Sequence, residues 1–301
     1  MSSTFPGSKD HVNLFKGYAI LAVVSIHFIH AYINRFAYGS FPWQIMVILD
    51  QIVRFSVPAF VALSGFALAR KYAASPPGFF QFLSTRAVKI LPPYLIWSLV
   101  YYFVGWFFPD LGNFSRSAPI WELALLGRAQ YHLYFVPLIF QLYVLFPLLF
   151  RLVRKSPWLF VLLSLIIQIY IYQGTGAPGW SDQTQYIRFT TWIYYFILGI
   201  FLGSVSLDRF ISSRLAGISS LIVTLAGLTW TIVSGFYLVS QGKNLIYVTA
   251  FTRPPVLLYA TGLILFSFFI TRPRFFVKIG AWSYQIYLGH VLVLQLLSLI
   301  A

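Results

Sequence analysis

Two stretches of this sequence, 215–239 and 256–270 with its flanks, run without a single charged residue. That length decides which solvent the chain folds in. About 18 or more apolar residues in a row are what a helix needs to cross roughly 30 Å of hydrocarbon. Inside that layer each backbone N–H and C=O must be satisfied within the segment, so such a run becomes a helix. The charge content agrees. Of the 301 residues 59% are hydrophobic and 9% charged, whereas a soluble domain carries about 25% charged residues. Too little charge is present to coat a soluble surface. The fold class read from this is all-α, a polytopic transmembrane helix bundle.

Hydropathy divides the chain into nine runs, at 14–33, 43–68, 90–108, 132–150, 157–173, 190–206, 215–238, 255–271 and 281–300. The spacers are short and leave no room for a soluble domain. The longest, 109–131 and 173–189, carry Gly, Pro and polar residues. Within the first, 121–127 is expected to form a short amphipathic helix in the interface. No internal repeat is visible. The first ten residues lack the apolar core and small-residue cleavage site of a signal peptide, so the first run is expected to remain as a membrane helix. Basic residues gather in cytoplasmic loops. Placing the N-terminus inside puts fourteen Lys and Arg on the inner side and six on the outer, with Arg54 inside a run. The N-terminus is therefore read as cytoplasmic, and nine spans would leave the C-terminus outside.

The same rule accounts for the net charge of +15. No basic stripe interleaved with stacking aromatics occurs in a soluble segment, so no nucleic-acid partner is expected. The absence of cysteine removes disulfides and thiolate metal sites. His27 and His30 are too sparse to form a metal site by themselves, and few acids could complete one.

The first run keeps ionisable groups where such segments usually exclude them. Lys16 and His27 are eleven residues apart. At about 100° per residue that is three turns plus roughly 20°, so the two side chains share a helix face. At about 1.5 Å rise they stand roughly 16 Å apart along the axis. His30 lies about 60° to one side of that line. An ionisable group at membrane depth costs about 2.5 kcal/mol or more unless it faces a polar cavity. Imidazole can stay neutral there and still act as a general base. The plainer alternative is a buried histidine bonded to a neighbouring helix, with Lys16 snorkelling to the headgroups.

Several stretches together carry a resemblance. Asn13-Leu-Phe-Lys16-Gly-Tyr-Ala-Ile-Leu-Ala-Val-Val-Ser-Ile-His27-Phe resembles the opening signature of the acyltransferase-3 family, bacterial integral-membrane O-acyltransferases. Arg54-Phe-Ser-Val-Pro58-Ala-Phe-Val-Ala-Leu-Ser64-Gly65-Phe is similar to the family's second-helix pattern, and Arg86-Ala-Val-Lys89-Ile-Leu-Pro92-Pro-Tyr94 to its basic entry to the third helix. His132-Leu-Tyr-Phe-Val-Pro-Leu, with Tyr143 and Pro147 behind it, resembles the His-Leu-Trp/Tyr-Phe segment. Ser283-Tyr284-Gln-Ile-Tyr287-Leu-Gly-His290 resembles the C-terminal signature. The motifs occur in family order from residue 13 to residue 290. Departures are Asn13 where the family often has Asp, Lys16 where it often has Arg, and Thr85 and Lys89, with Arg86 adjacent, in place of a paired Arg-x-x-x-Arg. The family usually has about ten spans.

The resemblance implies a single integral-membrane acyltransferase domain over 1–301, multi-pass in the bacterial cytoplasmic (inner) membrane. It also implies transfer of a short acyl group, acetyl being the commonest, from cytoplasmic acyl-CoA to a hydroxyl of an envelope polysaccharide or lipid-linked sugar. The co-substrate is acetyl-CoA or another short acyl-CoA, with no metal. Partners are the bilayer, the glycan acceptor, and a second copy or glycan-synthesis proteins. His27 is then the catalytic residue, as general base in preference to an acyl carrier. Lys16, Arg86 and Lys89 are the acyl-donor cations; the alternative for Arg86 and Lys89 is ordinary positive-inside charge. His30, Arg54, Ser64, His132, Tyr143, Tyr287 and His290 are candidates for the acceptor site or cavity lining. Asp50 lies four residues before Arg54, a spacing that favours an ion pair. Ser283, Tyr287 and His290 fall at i, i+4 and i+7 on one helical face. A transporter or flippase of a glycan or lipid would also show buried His and Arg between short loops, and a non-catalytic membrane subunit is the third reading.

Overall fold

A computed structural model of the chain describes residues 9–108, 119–175, 186–270 and 273–298. Among these residues there is no strand, and the chain is an all-α helix bundle. The helices are α1 Lys9–Tyr32, α2 Phe41–Val53, α3 Ser56–Lys71, α4 Phe79–Phe107, α5 Ile120–Leu126, α6 Phe135–Lys155, α7 Pro157–Thr175, α8 Ile193–Ser204, α9 Arg214–Ser240, α10 Pro254–Phe266, α11 Arg274–Ala281 and α12 Ser283–Ser298. One-turn pieces lie between some of them. Residues 109–118 and 176–185 of the two long spacers, with Arg116 and Arg272 and the last residues 299–301, lie outside the described residues.

All nine apolar runs become helix, but length separates them. Five segments among the described residues are long and apolar enough to cross a membrane: Lys9–Arg35, Phe41–Lys71, Phe79–Phe107, Phe135–Lys155 and Arg214–Ser240. This is a multi-pass protein, and other runs of the nine read from hydropathy form shorter apolar helices. The run at 190–206 is one of these. Its α-helix has 12 residues and is buried on all sides from Ile193 to Ile200. Twelve residues rise only about 18 Å, and a helix that is apolar all round at this length belongs to a core. Hydropathy cannot tell that helix from a span.

The run at 43–68 is two helices rather than one. Pro58 stands four residues after Arg54, and a proline ring clashes with the carbonyl four residues back in a continuous helix. The chain resolves this by turning at Arg54, whose N–H bonds to Gln51 O at 3.3 Å, and restarting with Pro58 in the first turn of α3. The break leaves Arg54 in the middle of the bundle.

Two glycine contacts fix the helices that carry the site. A Cβ on Gly280 of α11 would sit 1.7 Å from Asn13 O, and one on Gly17 of α1 would sit 2.1 Å from Phe276 O. The backbones of α1 and α11 therefore touch beside Lys16. Across the bundle, a Cβ on Gly199 of α8 would sit 1.9 Å from Ala62 O of α3. Small residues at helix crossings are the usual means of close packing in membranes. Apolar side chains gather in two large clusters, one around α3, α6 and α8 and one around α1, α4 and α12. Phe60, Ile90 and Phe135 pack against both.

Candidate functional site

Where the two clusters meet, a cavity of about 380 Å³ remains. Lys16, Val23, Ile26 and His27 of α1 line it, the helical stripe that the eleven-residue spacing predicts. Its wall also holds Arg86 and Lys89 of α4, Ser64 of α3, Tyr143 of α6, Ser283 and Tyr287 of α12, and Arg54, Tyr131 and His132. One chamber thus joins Lys16 of α1 to His27 of the same helix.

The wall contains four cations and no carboxylate. Arg54 is neutralised from behind. Its Nε donates to Asp50 Oδ2 at 2.8 Å and its Nη2 to Oδ1, the i, i+4 pair expected from spacing. Both side chains are 1% exposed, and a buried pair of this kind holds only if every oxygen is satisfied. Gln51 helps: its Nε2 donates to Asp50 Oδ2 at 3.2 Å, and its Oε1 accepts from Arg253 Nη1 at 3.1 Å. Arg253 precedes α10 and also donates to Val248 O, to Thr231 O at 3.1 Å and to Ser234 Oγ at 2.5 Å. Burial lowers its pKa to about 10, so it remains a cation at neutral pH.

Lys16, Arg86 and Lys89 are different. None has a carboxylate partner among the described residues. The Arg86 guanidinium lies over Phe82 at 5.5 Å and Tyr143 at 5.9 Å, and its buried Nε has no hydrogen-bond partner among the described residues. Three cations thus line one chamber with no carboxylate partner among the described residues, and like charges held together favour a ligand that compensates them.

His27 sits at the other end among aromatic rings. Its ring centroid is 5.0 Å from those of Tyr131 and His290 and 6.3 Å from that of His132. The turn before α6 delivers Tyr131 and His132. It starts at Gly127, whose φ of 65° is left-handed and whose Cβ would meet the Leu133 backbone at 2.7 Å, so glycine is required for both conformation and space. Tyr287 OH then donates to His132 O, and Tyr101 OH to Leu288 O at 2.8 Å, tying that turn and α4 to α12. His132 precedes α6 and is 2% exposed, beside His27.

Two residues read as candidates for the cavity lining are not in its wall. His30 turns away to the ion pair, with Nε2 at 3.0 Å from Asp50 Oδ1 and 2.8 Å from Arg54 Nη2. The roughly 60° offset from the Lys16–His27 line puts it on that flank. His290 stands behind His27, held by Nδ1 at 2.7 Å from Tyr287 O. Among the described residues no group of three His, Cys, Asp or Glu has the arrangement of a metal site. Sequence reasoning missed Tyr131, Tyr134, Tyr284 and Phe251 in the wall. No local pattern distinguishes them from the other aromatics of an apolar chain.

Comparison with known proteins adds an independent line. The model of the acyltransferase-3 family, described as an acyltransferase domain, matches residues 10–300. A Bacillus subtilis protein provisionally named membrane-bound acyltransferase YfiQ is 26% identical over 264 residues, 79% of this chain and 68% of that one. A Staphylococcus aureus protein provisionally named for poly-beta-1,6-N-acetyl-D-glucosamine export is 27% identical over 165 residues, 52% of this chain and 45% of that one. The succinoglycan biosynthesis protein ExoH of Rhizobium meliloti is 27% identical over 239 residues, 73% of this chain and 62% of that one. The chain thus spans roughly half to two thirds of the length of these curated relatives. No solved structure matches it significantly.

Proposed function

The chain belongs to the acyltransferase-3 family, and from that premise we propose that it is a membrane O-acyltransferase of the bacterial cytoplasmic membrane. It moves a short acyl group, acetyl in the simplest case, from cytoplasmic acyl-CoA to a hydroxyl of an envelope polysaccharide or lipid-linked sugar. One observation carries this reading: a single cavity joins three uncompensated cations to an imidazole on the same face of α1. Coenzyme A is polyanionic at one end and carries its thioester at the other, which is the polarity of that chamber.

In this reading Lys16, Arg86 and Lys89 hold the phosphates. His27 takes the proton of the acceptor hydroxyl as its oxygen attacks the thioester carbonyl. The C–S bond then breaks, and the departing thiolate recovers the proton from His27. The products are an ester and free coenzyme A. General-base assistance of this kind contributes about 10²–10⁴-fold. Arg54, Ser64, His132, Tyr143 and Tyr287 complete the wall, Tyr143 beside Arg86 and His132 beside His27, and the whole of 1–301 acts as one integral-membrane domain. Mass spectrometry of envelope glycans from cells with and without the protein tests the reading. An acyl increment present only with the protein supports it, and identical glycans contradict it.

A second reading is favoured by one observation, the relatives named for glycan export. A transporter or flippase would move its glycan across vesicles with no chemical change and would release no coenzyme A.

A further inference from the structure

Three imidazoles come together in the bundle from widely separated segments. His27 and His290 have ring centroids 5.0 Å apart, and His132 and His290 4.9 Å apart. His290 is 5% exposed and outside the cavity wall, so it has no contact with a ligand there. Its tautomer follows from its partner. Nδ1 lies 2.7 Å from the carbonyl of Tyr287, and a carbonyl only accepts, so Nδ1 carries the hydrogen. In the neutral ring Nε2 is then a bare acceptor. That atom is buried and has no hydrogen-bond partner among the described residues. A buried acceptor left open is costly; two imidazoles of the cavity wall stand beside it, His132 at 4.9 Å and His27 at 5.0 Å between ring centroids, and of these His27 is the one on the Lys16 stripe.

We infer that His290 is the positioning residue of His27. Its Nε2 accepts the N–H of one His27 nitrogen through one bridging water, and so leaves the other His27 nitrogen bare toward the cavity. This rests on the reading of His27 as general base. The arrangement does with a neutral imidazole what a carboxylate does when it orients a catalytic histidine. Asp50, the buried acid nearest in sequence, is engaged by Arg54, Gln51 and His30 instead. No proton passes to His290: the acceptor's proton goes to His27 and returns to the thiolate, while His290 keeps its Nδ1 hydrogen throughout. His132 stands edge-on to both rings.

Two variants separate positioning from packing. His290→Asn keeps an N–H near the Tyr287 carbonyl but lacks an acceptor at the Nε2 position. His290→Gln keeps an acceptor near Nε2. Coenzyme A release by the purified full chain is measured against acyl-CoA concentration. The expected result is a kcat at least about tenfold lower in His290→Asn with KM within about twofold of wild type, and partial recovery of kcat in His290→Gln. Equal kcat in wild type and His290→Asn overturns the inference. If the Asn variant does not fold, 15N-histidine spectra of the wild type decide, with the His27 signal assigned by its loss in His27→Gln. One fixed neutral tautomer is expected, and averaging between the two overturns the inference. A wild type that releases no coenzyme A contradicts the acyltransferase reading itself, a different outcome from an active wild type matched by His290→Asn.

Discussion

Lys16 and His27 line one cavity from opposite ends of a single helical stripe, eleven residues apart on α1. A charged head and a basic ring on one rigid element keep a fixed separation. Each end of that stripe makes its own prediction, because binding and chemistry are assigned to different residues.

At the cationic end, Lys16→Ala removes one charged contact to a phosphate, worth about 1.5–3 kcal/mol. The KM for acyl-CoA should rise roughly 10- to 150-fold with little change in kcat. Lys16→Arg should keep a low KM, because guanidinium grips phosphate oxygens in pairs. Steady-state coenzyme A release against donor concentration checks both. A loss confined to kcat would place Lys16 elsewhere in the reaction.

Behind the cavity, Asp50→Asn leaves the Arg54 guanidinium buried without its counter-charge. Breaking one side of a buried pair costs about 3–5 kcal/mol, so thermal unfolding in detergent should begin at a clearly lower temperature. Replacing both partners, as in Asp50→Asn with Arg54→Met, should recover part of that loss, since no lone charge then remains. Unfolding of the single variant at the wild-type temperature would mean that water or lipid headgroups reach Arg54.

At the crossing of α1 and α11, Gly280→Ala must push the backbones apart, because its Cβ would lie 1.7 Å from Asn13 O. Overpacking of this kind costs about 1–3 kcal/mol or more. It should also shift Lys16 relative to the cavity, raising the KM for the donor. Gly78→Ala is the control, as its Cβ meets nothing within 4 Å. Equal unfolding temperatures for the two variants would show that α11 can move away freely.

Much of this was legible before any coordinates, and for a physical reason. Hydrophobic length and helical period act locally, so the nine apolar runs, the shared face of Lys16 and His27, and the Asp50–Arg54 pair all follow from spacing. What depends on which helix neighbours which did not follow. Pro58 breaks the run at 43–68 and leaves Arg54 in the bundle's interior; hydropathy scores that run as continuous. The helix α8 is apolar because other helices surround it, which looks the same as being surrounded by lipid. His132 and His290 approach His27 from 105 and 263 residues further along the chain, and no spacing encodes that meeting. Family motifs grouped these residues without saying that His290 stands behind the ring of His27 and outside the wall.

The most direct test of the central claim is coenzyme A release from acetyl-CoA by the purified chain in lipid vesicles, with an acylatable glycan fragment present. Wild type, His27→Ala and Leu225→Ala are compared, the last altering an exposed side chain of α9. The account predicts release by wild type and Leu225→Ala at similar rates and a loss of at least about 10²-fold in His27→Ala. Release by His27→Ala at the wild-type rate would contradict it.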